Sequence, residues 1–491
     1  MENCRRYFTP AISLFCAFSI VFVLILSGGF LSSSFKSFPI ASKFKFEVSV
    51  PTAALQRTVS PISDHQFRAV RFTGSSGGLE MDRLRNSTDV TVIQKQPRKS
   101  FSKKQELNQG LARARASIRK AALNGNGSSI IIQNGDDFVP DPVIYRNPSA
   151  FYQSYVEMER RFKVYVYREG EVPMTHYGPC KDLYTIEGRF ISEIEHGAKR
   201  FKTSDPDQAH VYYLPFSVTW MVKYLYKPQS YNLTPLKQFV ADYVRVVSSK
   251  YPFWNRTSGA DHFMLACHDW GPHASRGNSQ LYNASIRVLC NANCSEGFNP
   301  QKDVTLPEIR LYAGVVSPKL LSPPPFNAPR PYLGFFAGGL HGQIRQFLLQ
   351  HWKERDNDLK VFEYLPKDLD YFSFMIQSRF CLCPSGYEVA SPRIVESIYA
   401  ECVPVILSEN YVLPFSDVLR WEAFSIEVKV SDIPRLKEVL MAVPEEKYKR
   451  LKENLKAARR HFELNQPAKR FDVFHMILHS IWLRRLNMRL G

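Results

Sequence analysis

The stretch CPSGYEVASPRIVESIYAECVPVIL, residues 383–407, places Arg393 and Glu396 three residues apart at the start of a helix. Ser391 reads as the N-cap and Pro392 as the first helical residue, where a missing N–H costs nothing. The first turn already presents unpaired N–H groups and partial positive charge, so a cation there is unfavourable unless an anion is near. A diphosphate would satisfy both the backbone donors and the guanidinium fork. Glu396 falls on the same helix face, where its carboxylate could accept from the two hydroxyls of a ribose. The pair reads as a grip for a nucleoside diphosphate. The competing reading is an ordinary Arg–Glu surface pair.

A second strand–turn–helix repeats the arrangement in FFAGGLHGQIRQFLL, with Gly338, Gly339 and Gly342 in the turn and His341 and Arg345 beside it. It is neither a dinucleotide fingerprint nor a Walker A loop, since no Gly-Lys-Ser/Thr follows. Glycines that admit close backbone approach, together with Arg345 and His341, point to a second phosphate contact. For proton transfer the chain offers GADHFMLACHDWGPH, with Asp261, His262, His268, Asp269 and His273. A group transfer that inverts a carbon centre needs a base to take the acceptor proton. His268 and Asp269 directly follow an apolar strand and should emerge at its carboxyl end. Asp269 is favoured narrowly over His268. The competing reading is a polar loop shaped by Trp270 and Pro272.

Metal readings are weaker. His262, His268 and His273 are spaced six and five apart and do not share a helix face. Asp-x-Asp occurs at Asp205/Asp207, Asp356/Asp358 and Asp368/Asp370, a pattern that in other proteins holds a divalent ion. The first precedes its strand, and the other two sit in charged or amphipathic helical contexts. Cys290-x3-Cys294 and Cys381-x-Cys383 lack a second pair with ligand spacing. No metal and no cofactor are expected.

The elements that would position these residues fall into two groups. Residues 162–167, 209–216 and 262–267 read as buried strands separated by helical segments, the pattern of parallel α/β winding. Five prolines between 323 and 331 (Pro323, Pro324, Pro325, Pro329 and Pro331) can continue neither a helix nor a central strand. Beyond that joint the pattern restarts with YLGFFAG, LKVFEY and the opening stretch. Two such units leave a cleft outside the carboxyl ends of their strands.

Three of these motifs, GADHFMLACHDWGPH, FFAGGLHGQIRQFLLQHW and CLCPSGYEVASPRIVESIYAECVPVIL, resemble the plant exostosin-type glycosyltransferases over residues 151–482. The resemblance implies a GT-B fold of two Rossmann-like domains, type II topology in the Golgi membrane, and a UDP-sugar donor held by Arg393 and Glu396. Ser391, Gly339, His341 and Arg345 complete the expected donor site. Glu401 stands where glycine is also frequent, at the helix end, with little expected effect. The activity expected is inverting, metal-independent transfer of a sugar to a cell-wall polysaccharide or glycoprotein glycan. The alternative is a non-catalytic scaffolding subunit of a glycosyltransferase complex. Expected partners are the nucleotide-sugar, a glycan acceptor, the Golgi membrane, and a homo- or hetero-complex with other glycosyltransferases.

The rest of the 491 residues sets the context. Residues 11–31 hold no charge, long enough to cross a ~30 Å hydrocarbon core. This predicts a signal-anchor with a cytosolic tail at 1–10. A luminal stem, largely disordered, is read at 32–150, an acceptor domain at 151–325, a nucleotide-sugar domain at 326–465 and a C-terminal helix at 466–491. Six N-glycosylation sequons, at Asn86, Asn126, Asn232, Asn255, Asn283 and Asn293, all follow the span and favour a luminal body. The net charge of +18 first suggests nucleic acid. Residues 95–120, however, hold nine Lys/Arg against Glu106 and so contribute +8 alone, which reads as a solvated tether. No nucleic-acid partner is expected.

Overall fold

The structure, a computed structural model, describes residues 102–124 and 138–488. The expected cytosolic tail, the span at 11–31, and the sequons at Asn86 and Asn126 lie outside the described residues. No helix among the described residues is long and apolar enough to cross a membrane.

The apolar runs form two wholly parallel sheets. The first has the order β2-β1-β3-β4-β5-β6. Its strands are β1 (Val164–Val166), β2 (Lys202–Thr203), β3 (Val211–Leu214), β4 (His262–Ala266), β5 (Ile286–Leu289) and β6 (Val304–Thr305). β3, β4 and β5 are buried throughout, as near-continuous apolar strands covered on both faces by helices must be. The second sheet has the order β11-β10-β9-β7-β8. It is built from β7 (Tyr332–Ala337), β8 (Leu359–Phe362), β9 (Ser378–Pro384), β10 (Val403–Leu407) and β11 (Ile426–Glu427). In each sheet the chain first winds outward and then returns to the other side of its starting strand. That reversal creates a switch between β1 and β3 in the first sheet and between β7 and β9 in the second. Ligands of such sheets bind outside the carboxyl ends of the strands at these points.

Disulfides tie neighbouring strands. Cys267 at the end of β4 joins Cys290 at the end of β5, and Cys381 of β9 joins Cys402 just before β10. The closely spaced pairs read from the sequence are therefore split, leaving Cys294 and Cys383 as thiols.

Two helices revise the picture of separate tails. The Lys103–Asn124 helix, within the range read as stem and tether, packs on the Pro148–Arg161 helix and buries Leu111 and Ala114. Arg115 donates to the Leu486 carbonyl at 2.6 Å and the Met488 carbonyl at 3.1 Å, neutralising the negative end of the final helix. The basic run is thus a docked helix in its described part, because its apolar face has a partner elsewhere in the chain. The final helix, Val473–Asn487, returns to the first lobe, where Trp482 lies 5.5 Å from the Phe162 ring and Phe474 lies 5.3 Å from the Phe190 ring.

Candidate active site

β7 and β9 deliver the two loops of the second lobe's switch. After β9 the chain turns through residues 385–390 into the Pro392–Tyr399 helix, with Ser391 as N-cap and Pro392 at the first helical position. Arg393 is buried. Its Nη2 donates to the Ala337 carbonyl at 2.9 Å, its Nη1 reaches Ser391 Oγ only at 3.4 Å, and its Cζ stands 4.6 Å from the Phe336 ring centroid. Its Nε has no hydrogen-bond partner among the described residues. A Cβ on Gly338 would come within 2.9 Å of this guanidinium, so the glycine is what admits it. Burial works against the charge, yet Tyr371, Cys383 and Glu396 around it hold its pKa above the usual arginine value.

Arg345 approaches from the Gln343–Trp352 helix, its Nε 3.4 Å from the Pro384 carbonyl. Burial first, and the neighbouring Arg393 second, draw its pKa down to about 10. Two guanidiniums thus share one crevice with an incomplete set of hydrogen bonds, an arrangement that favours an anion between them. His341 is exposed at the rim beside Tyr387, and Gly339 faces the Tyr364 hydroxyl.

Glu396 is buried one turn further on. It accepts from the Tyr312 hydroxyl at 2.9 Å and the Tyr371 hydroxyl at 3.2 Å. Both Glu396 and Arg393 are buried. The surface-pair reading is therefore overturned. Each carboxylate oxygen holds one tyrosine hydroxyl and keeps further acceptor capacity.

Across the cleft stands the end of β4. Burial raises the pKa of Asp269, the Tyr184 hydroxyl bonded to it opposes that rise, Glu296 adds to it, and Arg345 of the other lobe opposes it. His268 accepts from the Trp270 N–H at Nδ1, 3.1 Å away, and burial lowers its pKa to about 4. A neutral ring whose Nδ1 is the acceptor carries its proton on Nε2. In that form Nε2 can donate but cannot take a proton. Asp261 and His262 lie at the opposite end of β4, in a buried network in which His262 bonds Tyr167 at 2.8 Å and Asp261 at 2.9 Å. Strand direction therefore separates the candidates that the sequence lists together. His273 sits half-buried on the short Gly271–Ser275 helix.

Comparison with known proteins gives the family. The Exostosin GT47 domain model matches residues 158–443, spanning both sheets and every loop just described. A probable glycosyltransferase of Arabidopsis thaliana is 56% identical over 476 residues, 97% of this chain and 96% of that protein. A probable beta-1,4-xylosyltransferase of the same plant is 28% identical, over 65% of this chain and 82% of the relative. A probable glucuronosyltransferase of Oryza sativa subsp. japonica is 29% identical, over 65% and 80% respectively. The chain belongs to the exostosin GT47 family. It is a glycosyltransferase.

Several residues of this GT47 cleft have no signal in the linear sequence. Glu308 is buried, and burial, Asp269 and Glu396 push its pKa well up while Arg345 and Arg393 pull it down. Glu388, in the loop before Ser391, accepts from Asn291 Nδ2 of the first lobe at 2.5 Å. The same nitrogen lies 3.2 Å from Glu296 Oε2. Burial, Glu296 and Asp269 push Glu388 up to about 8. Tyr184 holds a left-handed backbone at φ 56°. Each of these meets the site from a distant stretch of chain, so only the fold brings it there.

The Asp-x-Asp pairs are engaged elsewhere. Asp205 caps a short helix and pairs with Lys103 at 2.9 Å. Asp356 and Asp358 share Lys437 at 2.6 and 2.8 Å, and Asp370 caps the Tyr371–Gln377 helix and pairs with Lys319. Among the sequons, Asn232, Asn255 and Asn283 are exposed. Asn293 instead caps a turn and donates to Glu296 at 3.1 Å.

Proposed function

We propose that the chain is a GT-B glycosyltransferase that transfers a sugar from a UDP-sugar to a cell-wall polysaccharide or glycoprotein glycan, inverting the anomeric carbon without a required metal. The observation that carries this reading is the pair Arg345 and Arg393 at the second sheet's switch, with Asp269 opposite. In this mechanism Asp269 takes the acceptor hydroxyl proton as the new C–O bond forms at the anomeric carbon. The bond from that carbon to the diphosphate breaks, and its electron pair stays on the phosphate oxygen. Arg393, Arg345 and the amides of the Pro392–Tyr399 helix stabilise the charge that develops there, a task a divalent ion performs in other transferases. Glu396, with Tyr312 and Tyr371, holds the ribose hydroxyls.

The uncharged stretch at 11–31 and the sequons that follow it support a type II protein with its body in the Golgi lumen. Transfer of a sugar is supported by the names of the relatives, a probable beta-1,4-xylosyltransferase and a probable glucuronosyltransferase among them.

The test is a panel of UDP-sugars with the purified full chain, alongside Arg393→Ala and Glu396→Ala. UDP affinity should fall for both, more for the arginine, by about 30-fold, or ~2 kcal/mol. Unchanged UDP affinity in a folded Arg393→Ala protein would falsify the diphosphate assignment. UDP binding with no transfer to any acceptor, alone or with partner transferases, would favour the scaffold instead.

A further inference from the structure

A cavity of about 330 Å³ opens at the carboxyl ends of β1 and β2, lined in part by Tyr165, Tyr167, Arg168, His176, Glu195 and Lys202. It lies beside the first sheet's own switch, between β1 and β3. The second sheet's own switch, between β7 and β9, carries the arginine pair. β1 is separated from β4, which bears Asp269, by β3 alone. The cavity is therefore two to three strand spacings, about 10–14 Å, along the same edge from the candidate base.

Its charge is one-sided. His176 Nδ1 faces Glu195 Oε1 at 2.7 Å and its Nε2 faces the Glu169 carbonyl at 3.1 Å. Both partners can only accept, so both ring nitrogens donate and the ring is an imidazolium. Burial acts to lower its pKa, and Glu195 more than offsets that. Lys202 Nζ donates to the Glu195 carbonyl at 3.0 Å, which leaves its charge uncompensated. Arg168 is exposed, and its guanidinium has no partner among the described residues. Glu169 is committed to Lys250 at 2.8 Å and to the Tyr251 hydroxyl at 2.6 Å. Three cations thus meet one carboxylate, Glu195, which His176 already engages, and Arg168 and Lys202 are left without a carboxylate partner among the described residues.

We propose that this cavity is a distal acceptor subsite that takes the carboxylate of a uronate residue in the glycan being extended. The proposal rests on the reading of the Asp269 side as the acceptor side. The chemistry fits a sugar acid better than a bare anion. Arg168 offers a planar fork to a carboxylate, Thr203 and Ser204 line the wall with hydroxyls, and the volume suits a pyranose ring. A chain reaching from Asp269 to this point spans two to three sugar units.

The test measures binding of galacturonate and glucuronate oligosaccharides to the detergent-solubilised full chain without donor, each beside its carboxyl-reduced counterpart. At least one acidic oligosaccharide should bind about tenfold tighter than its reduced form. The double variant Arg168→Ala, Lys202→Ala should lose that preference while keeping its affinity for the reduced sugar and for UDP. Arg393→Ala should do the reverse, losing UDP and keeping the preference, so the two readings fail separately. Equal binding of every acidic and reduced pair would overturn the subsite. So would a preference that survives in the double variant, or inorganic sulfate that competes as well as the oligosaccharide.

Discussion

His268 and Asp269 are adjacent, yet their hydrogen bonds assign them different capacities. The Trp270 N–H occupies His268 Nδ1, so the proton on Nε2 leaves that ring a donor. Asp269 is a carboxylate opposite Arg345, with burial raising its pKa above the usual aspartate value. Below that pKa the base is protonated and transfer falls, so the acid limb of the rate profile should lie above an ordinary aspartate's range. Asp269→Asn should preserve UDP affinity and lower transfer by about 10²-fold or more, a loss read by kcat. Near-normal transfer in this variant would remove Asp269 as the base. This much was half legible: the strand end in the sequence pointed to both residues, and their separation needed the Trp270 contact. Asp261 and His262 stand in the same motif but at the far end of β4, and only the direction of the strand excludes them.

The two loops of the second lobe work as one unit. Gly342 has φ +83° and a Cβ there would sit 2.2 Å from the Gly386 carbonyl, so the loop after β7 is pressed against the loop after β9. Gly342→Ala should cost about 1–3 kcal/mol of stability from local strain, seen in thermal unfolding, and weaken UDP binding because Arg345 and Arg393 hang from these loops. A variant with wild-type stability and UDP affinity would show that the loops need no such contact. The cap at Ser391-Pro392 was readable because it is local chemistry. The contact of Gly342 with Gly386 was not, since 43 residues, with β8 and β9 among them, intervene. The Lys103–Asn124 helix is a similar case: its charge read as a solvated tether, but the surface that buries Leu111 and Ala114 comes from elsewhere in the chain.

The lobes meet through more than the proline joint and the returning final helix. Asn291 of the first lobe donates to Glu388 of the second at 2.5 Å and lies 3.2 Å from Glu296, so two carboxyl groups crowd one amide. A proton on Glu388 relieves that crowding, which is why burial, Glu296 and Asp269 push its pKa up to about 8. The sign of the consequence follows from linkage. The folded chain keeps this proton where the unfolded chain has lost it, so the contribution is fully present below the ordinary glutamate value of 4.5 and is lost as pH rises through about 8. One proton sets a ceiling of about 1.4 kcal/mol per pH unit, and partial solvation of the group reduces it. Thermal stability of the full chain should therefore fall from pH 5 to pH 8 by this route, and Glu388→Gln, which keeps a neutral side chain in place, should flatten that slope. Arg393 and Arg345 would be untouched, so UDP affinity at pH 5 should match the wild type. An unchanged slope in Glu388→Gln would mean that the lobes are held together without this shared proton.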